Sequence, residues 1–259
     1  MHALSHFYAM KQAMIFAAGL GTRLRPYTDD RPKALVEVQG KPLLEHLILR
    51  MQKEGVERIV LNVHHFAEKV MAFLHEQKNF GMDIRVSHEQ DMLLDTGGGL
   101  QKALPLIDTS QPLLLYNVDI VCDFPIREVD RIASMPEMDG AAAIVFTNRR
   151  NTSRYLLFDD SSLLQGRMRI EADGTRTYQT SHPQPESLLP LAFTGIHYVA
   201  PSAMKALSQM PEGKFSILDF YLSLPPECPV RTFTLPSQSK WIDCGKPETL
   251  QQAASLLCV

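Results

Sequence analysis

Short apolar runs alternate with amphipathic segments through the first half of the chain. Runs that predict strands lie at residues 12–18, 58–63, 83–87 and 112–118. Two segments between them, residues 42–54 and 67–77, carry apolar side chains at helical spacing, and Gly55 stops the first of these helices. Continuous apolar strands that alternate with helices are typical of a sheet buried on both faces. The pattern therefore predicts an α/β fold with a mostly parallel sheet and helices on both faces.

The second half has a less regular pattern. Strands are predicted at residues 141–147, 191–199 and 230–234, and helices at residues 215–222 and 247–257. Residues 148–184 contain short polar segments, which predict hairpins with a turn at Asp173 and Gly174. No repeat or linker divides the chain, so residues 11–259 are predicted to form one domain with an inserted substrate-binding lobe. Residues 1–10 precede the first strand and are predicted to be a disordered N-terminal extension.

Composition and charge argue against several classes of partner. The 259 residues carry a formal net charge of −3, so no bulk positive field favours nucleic acid or an anionic membrane. No apolar run approaches the roughly 18 residues that a membrane span requires. The four cysteines form no CxxC pair, which favours reduced thiols over a zinc site or a disulfide framework. These features predict a cytoplasmic protein with no nucleic-acid or membrane partner, and they leave its oligomeric state open.

A glycine turn follows the first predicted strand directly. The residues expected to form it are Ala17, Ala18, Gly19, Gly21 and Thr22. Glycines let the backbone approach a phosphate closely, and successive main-chain N–H groups can then cradle the anion. The turn is neither a GxxxxGK[ST] phosphate loop nor a GxGxxG dinucleotide fingerprint, because it lacks the Lys-Ser/Thr pair and has leucine at position 24. It therefore argues against a kinase or a dehydrogenase while still predicting an anion site.

Two cations accompany this turn. Arg23 belongs to it, and Lys33 follows ten residues later, after Pro32. Arginine offers a fork of donors for phosphate oxygens, and lysine offers a compact charge. With the turn, they predict a site for a nucleoside triphosphate.

The segment GLGTRLRPYT, followed by RPKAL, resembles the GxGTRL…PK pattern of nucleoside-diphosphate-sugar pyrophosphorylases. The resemblance extends through most of the chain. It points to the bacterial subgroup that contains N-acetylmuramate-1-phosphate uridylyltransferase and mannose-1-phosphate guanylyltransferase-like enzymes. It implies their Rossmann-like nucleotide-diphospho-sugar transferase fold, with Arg23 gripping the leaving pyrophosphate and Lys33 binding the α-phosphate.

A second glycine-rich stretch, residues 91–99, is predicted to be a loop that leads into a short helix. Its TGGG sequence resembles the family loop that contacts the base and part of the sugar. The resemblance assigns this contact to Thr96, Gly97 and Gly98, and it makes Glu89 a base or ribose contact. On this view a ring lies against bare backbone, so a side chain at Gly98 would weaken nucleotide binding with little loss of stability.

Two aspartates are predicted to hold a metal ion. Asp119 ends the strand LLLYNV, and ligands of open parallel sheets collect at the carboxyl ends of strands. A carboxylate there suits Mg²⁺, which prefers oxygen ligands and bridges substrate phosphates. The segment WIDCGKPETL resembles the family's W-x-D-x-G-T-P-E-x-L stretch, which implies that Asp243 is the second metal ligand. Lys246 departs from the family's common threonine.

The sugar side has weaker signals. The same resemblance assigns Asn117, Thr194 and Gly195 to the sugar. Many members of the family carry a Glu-Lys-Pro before this Thr-Gly pair, whose lysine binds the sugar phosphate. No such motif occurs here, so the residue that anchors the sugar phosphate stays unassigned.

Taken with the resemblance, these residues predict a magnesium-dependent enzyme that joins UTP or GTP to a sugar 1-phosphate and releases pyrophosphate. One alternative is a cytidylyltransferase-type enzyme with a non-sugar acceptor such as phosphocholine. Another is a regulatory protein that binds sugar nucleotides without turning them over. The presence of Arg23, Lys33, Asp119 and Asp243 favours the enzyme.

Overall fold

A computed structural model describes residues 10–257 as a central sheet with helices on both faces. The strands are β1 Gln12–Phe16, β2 Glu37–Val38, β3 Lys41–Pro42, β4 Arg58–Val63, β5 Asp83–His88, β6 Leu113–Asn117, β7 Ile120–Cys122, β8 Ala143–Asn148, β9 Arg154–Phe158, β10 Leu164–Ile170, β11 Arg176–Thr180, β12 Leu189–Val199, β13 Val230–Thr234 and β14 Trp241–Asp243. The α-helices are α1 Leu43–Lys53, α2 Ala67–Glu76, α3 Asp95–Ala103, α4 Glu128–Ala133, α5 Pro201–Leu207, α6 Ile217–Ser223 and α7 Pro247–Leu257.

The first half of the chain supplies the parallel part of the sheet. Strands β5, β4, β1 and β6 are neighbours in that order, and every pair among them is parallel. Alternate residues of each strand point to opposite faces. Ile15 therefore packs with α1 and α2, whereas Met14 packs with α3, α5 and α6. The carboxyl ends of the parallel strands consequently meet at one edge, which is where the candidate site lies.

Antiparallel strands complete the sheet. Strand β12 pairs with β6, β8 and β9, and β9 continues into β10 and β11. The β10–β11 hairpin turns at Asp173 and Gly174 as predicted, with φ +85° at Gly174. Strands β9 to β11 form the lobe that the polar stretch at residues 148–184 predicted.

Two predictions about local structure need correction. The glycines of the second glycine-rich stretch lie within α3 and not in a loop before it, because the helix begins at Asp95. Met10 is 1% exposed and packs in the core, so it does not belong to a disordered extension. The rest of the predicted extension, residues 1–9, lies outside the described residues. Within residues 10–257, no helix combines the length and apolar character needed to cross a bilayer.

Candidate active site

A cavity of about 490 Å³ opens at the carboxyl ends of β1, β4 and β6. Its size falls in the range of small-molecule sites. The lining residues come from the turn after β1, the strand ends, the start of α3 and two later segments, and they include Ala17, Ala18, Gly19, Gly21, Thr22, Arg23, Lys33, Asn62, Asp95, Thr96, Asn117, Asp119, Lys214 and Gly245. Segments far apart in sequence therefore meet around one space.

The first glycine turn, residues 19–23, faces this cavity. No atom of residues 10–257 lies within 4 Å of the position that a Cβ would take on Gly19. The N–H groups of Gly19 and Leu20 have no acceptor within the described part of the chain. Gly21 has φ +64°, and its carbonyl accepts a hydrogen bond of 2.9 Å from Thr28 Oγ1, which fixes the turn. The turn thus presents free main-chain donors to an open space, as an anion site requires.

A cluster of charges that ranges from buried Lys33 to exposed Arg23 closes one end of the cavity. The Lys33 ammonium donates to Asp119 Oδ2 and lies 3.9 Å from Asp243 Oδ1. Arg23 belongs to the first glycine turn, and its Nη2 lies 3.7 Å from Asp243 Oδ2. The four charged residues predicted from sequence therefore lie together.

The backbone explains how the two aspartates become neighbours. Strand β14 pairs antiparallel with β7, which places Asp243 opposite Ile120. The next residue, Cys244, donates its N–H to the Asp119 carbonyl at 2.8 Å. A short strand near the C-terminus thus fixes the second carboxylate beside the first.

The carboxylates have the character of a cation site. Burial raises the pKa of Asp243, and the negative charge of Asp119 raises it further, while Lys33 and Arg23 oppose the shift. Asp243 Oδ1 is buried and has no hydrogen-bond partner among the residues that the structure describes. Across residues 10–257, no group of three or more potential metal ligands occurs. Mg²⁺ usually takes one or two carboxylates and completes its shell with water and phosphate oxygens, so this pair fits it.

The second glycine segment, residues 97–99, does not offer bare backbone to a ring, contrary to the prediction. A Cβ on Gly97 would overlap the Phe215 ring, and a Cβ on Gly98 would overlap the Gly213 carbonyl oxygen. The N–H groups of Gly97 and Gly98 both donate to the Phe215 carbonyl, at 2.9 and 3.2 Å. Because protein fills both the space and the hydrogen bonds, these glycines seat residues 213–215 against α3.

Glu89 also acts inside the protein. It is 1% exposed, and its two oxygens accept from Asn62 Nδ2 at 2.7 Å and from the Leu94 N–H at 2.8 Å. Asn62 in turn accepts from the Ala17 N–H at 2.9 Å. Glu89 is therefore placed to position the start of the first glycine turn through Asn62. Its burial leaves it no exposed surface for the predicted direct contact with base or ribose. The polar Asn62 within an otherwise apolar strand was the sequence signal for this link.

The residues assigned to the sugar divide into two kinds. Asn117 lines the cavity, and its amide lies 2.7 Å from the position of a Cβ on Gly195, whose φ is +82°. Thr194 is fully buried, and its hydroxyl donates to the Phe146 carbonyl at 2.7 Å. Asn117 can therefore reach a ligand, whereas the Thr194 side chain is used within the sheet. Thr96 lines the cavity, and its hydroxyl accepts from the Ile217 N–H at 3.0 Å.

Comparisons with known proteins agree with this arrangement. The sequence profile of a family described as nucleotidyl transferase matches residues 12–258. The chain belongs to this family. It is 34% identical over 252 residues to N-acetylmuramate alpha-1-phosphate uridylyltransferase from Caulobacter vibrioides, covering 96% of this chain and 98% of the relative. It is 28% identical to mannose-1-phosphate guanyltransferase beta-B from Xenopus laevis, covering 92% of this chain but only 62% of that relative.

The fold of this nucleotidyltransferase has solved counterparts. HddC from Yersinia pseudotuberculosis complexed with GMP-PN superposes with a TM-score of 0.73 at 21% identity, over 95% of this chain and 99% of that one. A putative glucose-1-phosphate thymidylyltransferase from Bacillus anthracis gives the same TM-score at 18% identity, over 95% and 94%. These likenesses confirm the predicted fold.

Two charged residues that line the cavity of the nucleotidyltransferase, Asp95 and Lys214, were not among the predicted site residues. Lys214 lines the cavity from the segment that docks on the second glycine segment. The only signal for Lys214 was its place just before Phe215, where the predicted core helix begins. The docking on α3 is made across more than one hundred residues of sequence, and no local pattern reveals it.

Proposed function

We propose that this nucleotidyltransferase joins a nucleoside triphosphate, UTP or GTP, to a sugar 1-phosphate and releases pyrophosphate. The observation that carries the proposal is the cluster of Lys33, Asp119 and Asp243 beside the open first glycine turn. Free backbone donors, two cations and two carboxylates with an under-satisfied oxygen suit a triphosphate bound with a divalent cation. The names of the two relatives above support a sugar 1-phosphate as the acceptor.

The chain's own residues have distinct roles in the proposed reaction. The acceptor phosphate is already an anionic nucleophile, so the site needs no strong general base. The barrier comes from charge repulsion and alignment. Lys33 would bind the α-phosphate as its charge develops, and Arg23 with the turn N–H groups would bind the departing pyrophosphate. Asp119 and Asp243 would hold Mg²⁺, which supplies charge neutralisation at the phosphates when bound.

The other cavity residues would orient the substrates. Asn117 lies near both Asp119 and Gly195, so it can contact a sugar or a ribose hydroxyl. Thr96 holds the start of α6 while bordering the cavity, which suits a position beside the nucleotide. Glu89 and the glycines at 97 and 98 would act indirectly, by fixing the walls.

Pyrophosphate release tests this proposal. The purified protein is assayed with Mg²⁺, with each of UTP, GTP, CTP, dTTP and ATP, and with N-acetylmuramate 1-phosphate, mannose 1-phosphate, glucose 1-phosphate and phosphocholine. We expect release with UTP or GTP and one sugar 1-phosphate, and loss of release in Asp243→Asn. Pyrophosphate release only with CTP and phosphocholine would show that the acceptor is not a sugar 1-phosphate. Tight binding of a nucleotide sugar without any release would favour the regulatory protein.

A further inference from the structure

Arg150 follows the end of β8 and is held in a fixed orientation. Its guanidinium lies 3.9 Å from the centre of the Trp241 ring. Nη1 donates to Asn148 Oδ1 and Nη2 donates to the Phe193 carbonyl, both at 2.7 Å. No carboxylate of residues 10–257 lies within ion-pair distance of it. Arg150 is thus a half-buried, oriented cation whose charge has no paired anion.

Its contacts attach it to the charged cluster. Trp241 begins β14, two residues before Asp243, and its Nε1 donates to the Thr194 carbonyl at 2.9 Å. Burial lowers the pKa of Arg150, and the negative charge of Asp243 opposes that shift. Trp241 and Asp243 are two residues apart in β14 and therefore point to the same face of that strand, so Arg150 stacks on the side that carries the predicted metal ligand. Arg150 comes from the connection between β8 and the lobe, whereas Arg23 comes from the first glycine turn.

One side of Arg150 is open. It borders a second cavity of about 370 Å³, which lies between the lobe strands and the segment before β12. The charged residues lining this cavity are Arg149, Arg150, Arg176 and Glu186. The local charge is positive, so the open side favours an anion.

The proposed reaction requires such a cation on the acceptor side. Lys33 and Arg23 are committed to the nucleotide in the proposed mechanism, while the sugar phosphate carries its own negative charge into the same site. Residues 181–190, which precede the Thr-Gly pair, contain neither lysine nor arginine. The chain must therefore neutralise the acceptor phosphate from another element.

We propose that Arg150 binds the phosphate of the sugar 1-phosphate. Its planar fork suits two phosphate oxygens, and stacking on Trp241 with two hydrogen bonds orients it before the acceptor arrives. This assignment rests on the proposed function. Phosphate binding by Arg150 would affect the sugar 1-phosphate and not the nucleotide. A structural role, in which Arg150 only fastens the lobe to β14, would not distinguish the two substrates.

The test compares Arg150→Met and Arg150→Lys with Arg154→Met, an exposed arginine at the start of β9 that lines neither cavity. Initial rates are measured with the best substrate pair from the pyrophosphate assay. Calorimetry then titrates the sugar 1-phosphate into protein held with a non-hydrolysable triphosphate. We expect Arg150→Met to raise the acceptor KM and Kd by about tenfold or more, the scale for losing a hydrogen bond to a charged group. The nucleotide KM should change by no more than about twofold, because in this assignment Arg150 binds the acceptor and not the nucleotide. Arg154→Met should match the wild type.

Arg150→Lys keeps the charge without the fork, so its acceptor KM should fall between those of the wild type and Arg150→Met. This variant decides the matter if Arg150→Met does not fold. An unchanged acceptor KM, or equal rises in both KM values with a lower melting temperature, would overturn the assignment. If the wild type releases no pyrophosphate, the proposed function fails and binding decides Arg150 separately. A wild type that binds neither the sugar 1-phosphates nor inorganic phosphate, or an Arg150→Met protein that binds them equally well, also overturns it.

Discussion

Two glycine-rich segments border one cavity, and their glycines face different surroundings. In the first glycine turn, Gly19 has open space where a side chain would lie, and its N–H has no acceptor within the described residues. In the second glycine segment, the same space at Gly97 and Gly98 is filled by residues 213–215. Their N–H groups are bonded to the Phe215 carbonyl. Glycine therefore leaves room for a ligand in one segment and for protein in the other.

The difference changes what a substitution should do. A side chain in the first glycine turn intrudes on the ligand and spares the fold. A side chain in the second glycine segment displaces the segment that carries Lys214 and leads into α6, and so disturbs the fold first. The two segments can be separated by measuring stability and binding on the same variants.

The largest effect is expected from Gly98→Ala. The added methyl group overlaps the Gly213 carbonyl oxygen, a backbone atom that cannot rotate away. Overpacking of this kind should lower the free energy of unfolding by about 3 kcal/mol. That corresponds to a fall in melting temperature of roughly 6–12 °C, measured by calorimetry. This expectation reverses the interpretation from sequence, in which Gly98 affected nucleotide binding and not stability.

Gly213→Ala is the matched control, because it changes the other side of the same contact and no atom of the described chain lies within 4 Å of its Cβ position. It should stay near wild-type stability. An equally stable Gly98→Ala protein with impaired nucleotide binding would abolish the distinction between the two segments.

Lys33→Ala comes next and tests whether the chemistry belongs to the first glycine turn. The Cβ of Lys33 lies 3.2 Å from the position that a Cβ would take on Gly21. The Lys33 ammonium donates to Asp119 and lies 3.9 Å from Asp243 Oδ1. Loss of one transition-state charge contact should lower kcat/KM about 100-fold. Lys214→Ala removes an exposed lysine on the other wall and should have a much smaller effect. Similar losses in the two variants would count against the special role of Lys33.

Gly19→Ala should have the smallest effect on stability and a clear effect on binding. Because no atom in the described part of the chain lies within 4 Å of the added methyl group, the free energy of unfolding should change by no more than about 0.5 kcal/mol. The methyl group should still displace the triphosphate and raise the nucleotide KM about tenfold or more. A nucleotide KM equal to that of the wild type would show that no phosphate lies against Gly19.

The parallel strands of the fold were predictable because their apolar runs are continuous. Strand β4 has the predicted bounds, and β1 and β6 lie within the predicted runs. The separate strands of the lobe were not, since β11 is short and largely exposed and its pattern does not distinguish it from a loop. Local sequence motifs singled out Arg23, Lys33, Asp119 and Asp243, which the fold brings together.

Contacts between distant segments could not be predicted in this way. The packing of Phe215 on Gly97 and the stacking of Arg150 on Trp241 join segments about one hundred residues apart. Each partner has an ordinary local sequence, so only the folded chain reveals the pair. For the same reason Glu89, which lies near a motif, was assigned to the ligand although its oxygens are used by Asn62 and Leu94.

The central claim is that Asp119 and Asp243 hold one divalent cation between the two substrates. The most direct test is the dependence of pyrophosphate release on Mg²⁺ for Asp119→Asn, Asp243→Asn and the double variant. Each single variant should lose most turnover and remain folded, since it removes one of two mutually repelling carboxylates. If both residues serve one ion, the double variant should be little slower than the slower single variant, because effects within one catalytic unit do not add. Fully multiplicative losses, or near-normal Mg²⁺-dependent turnover in either single variant, would contradict the shared site.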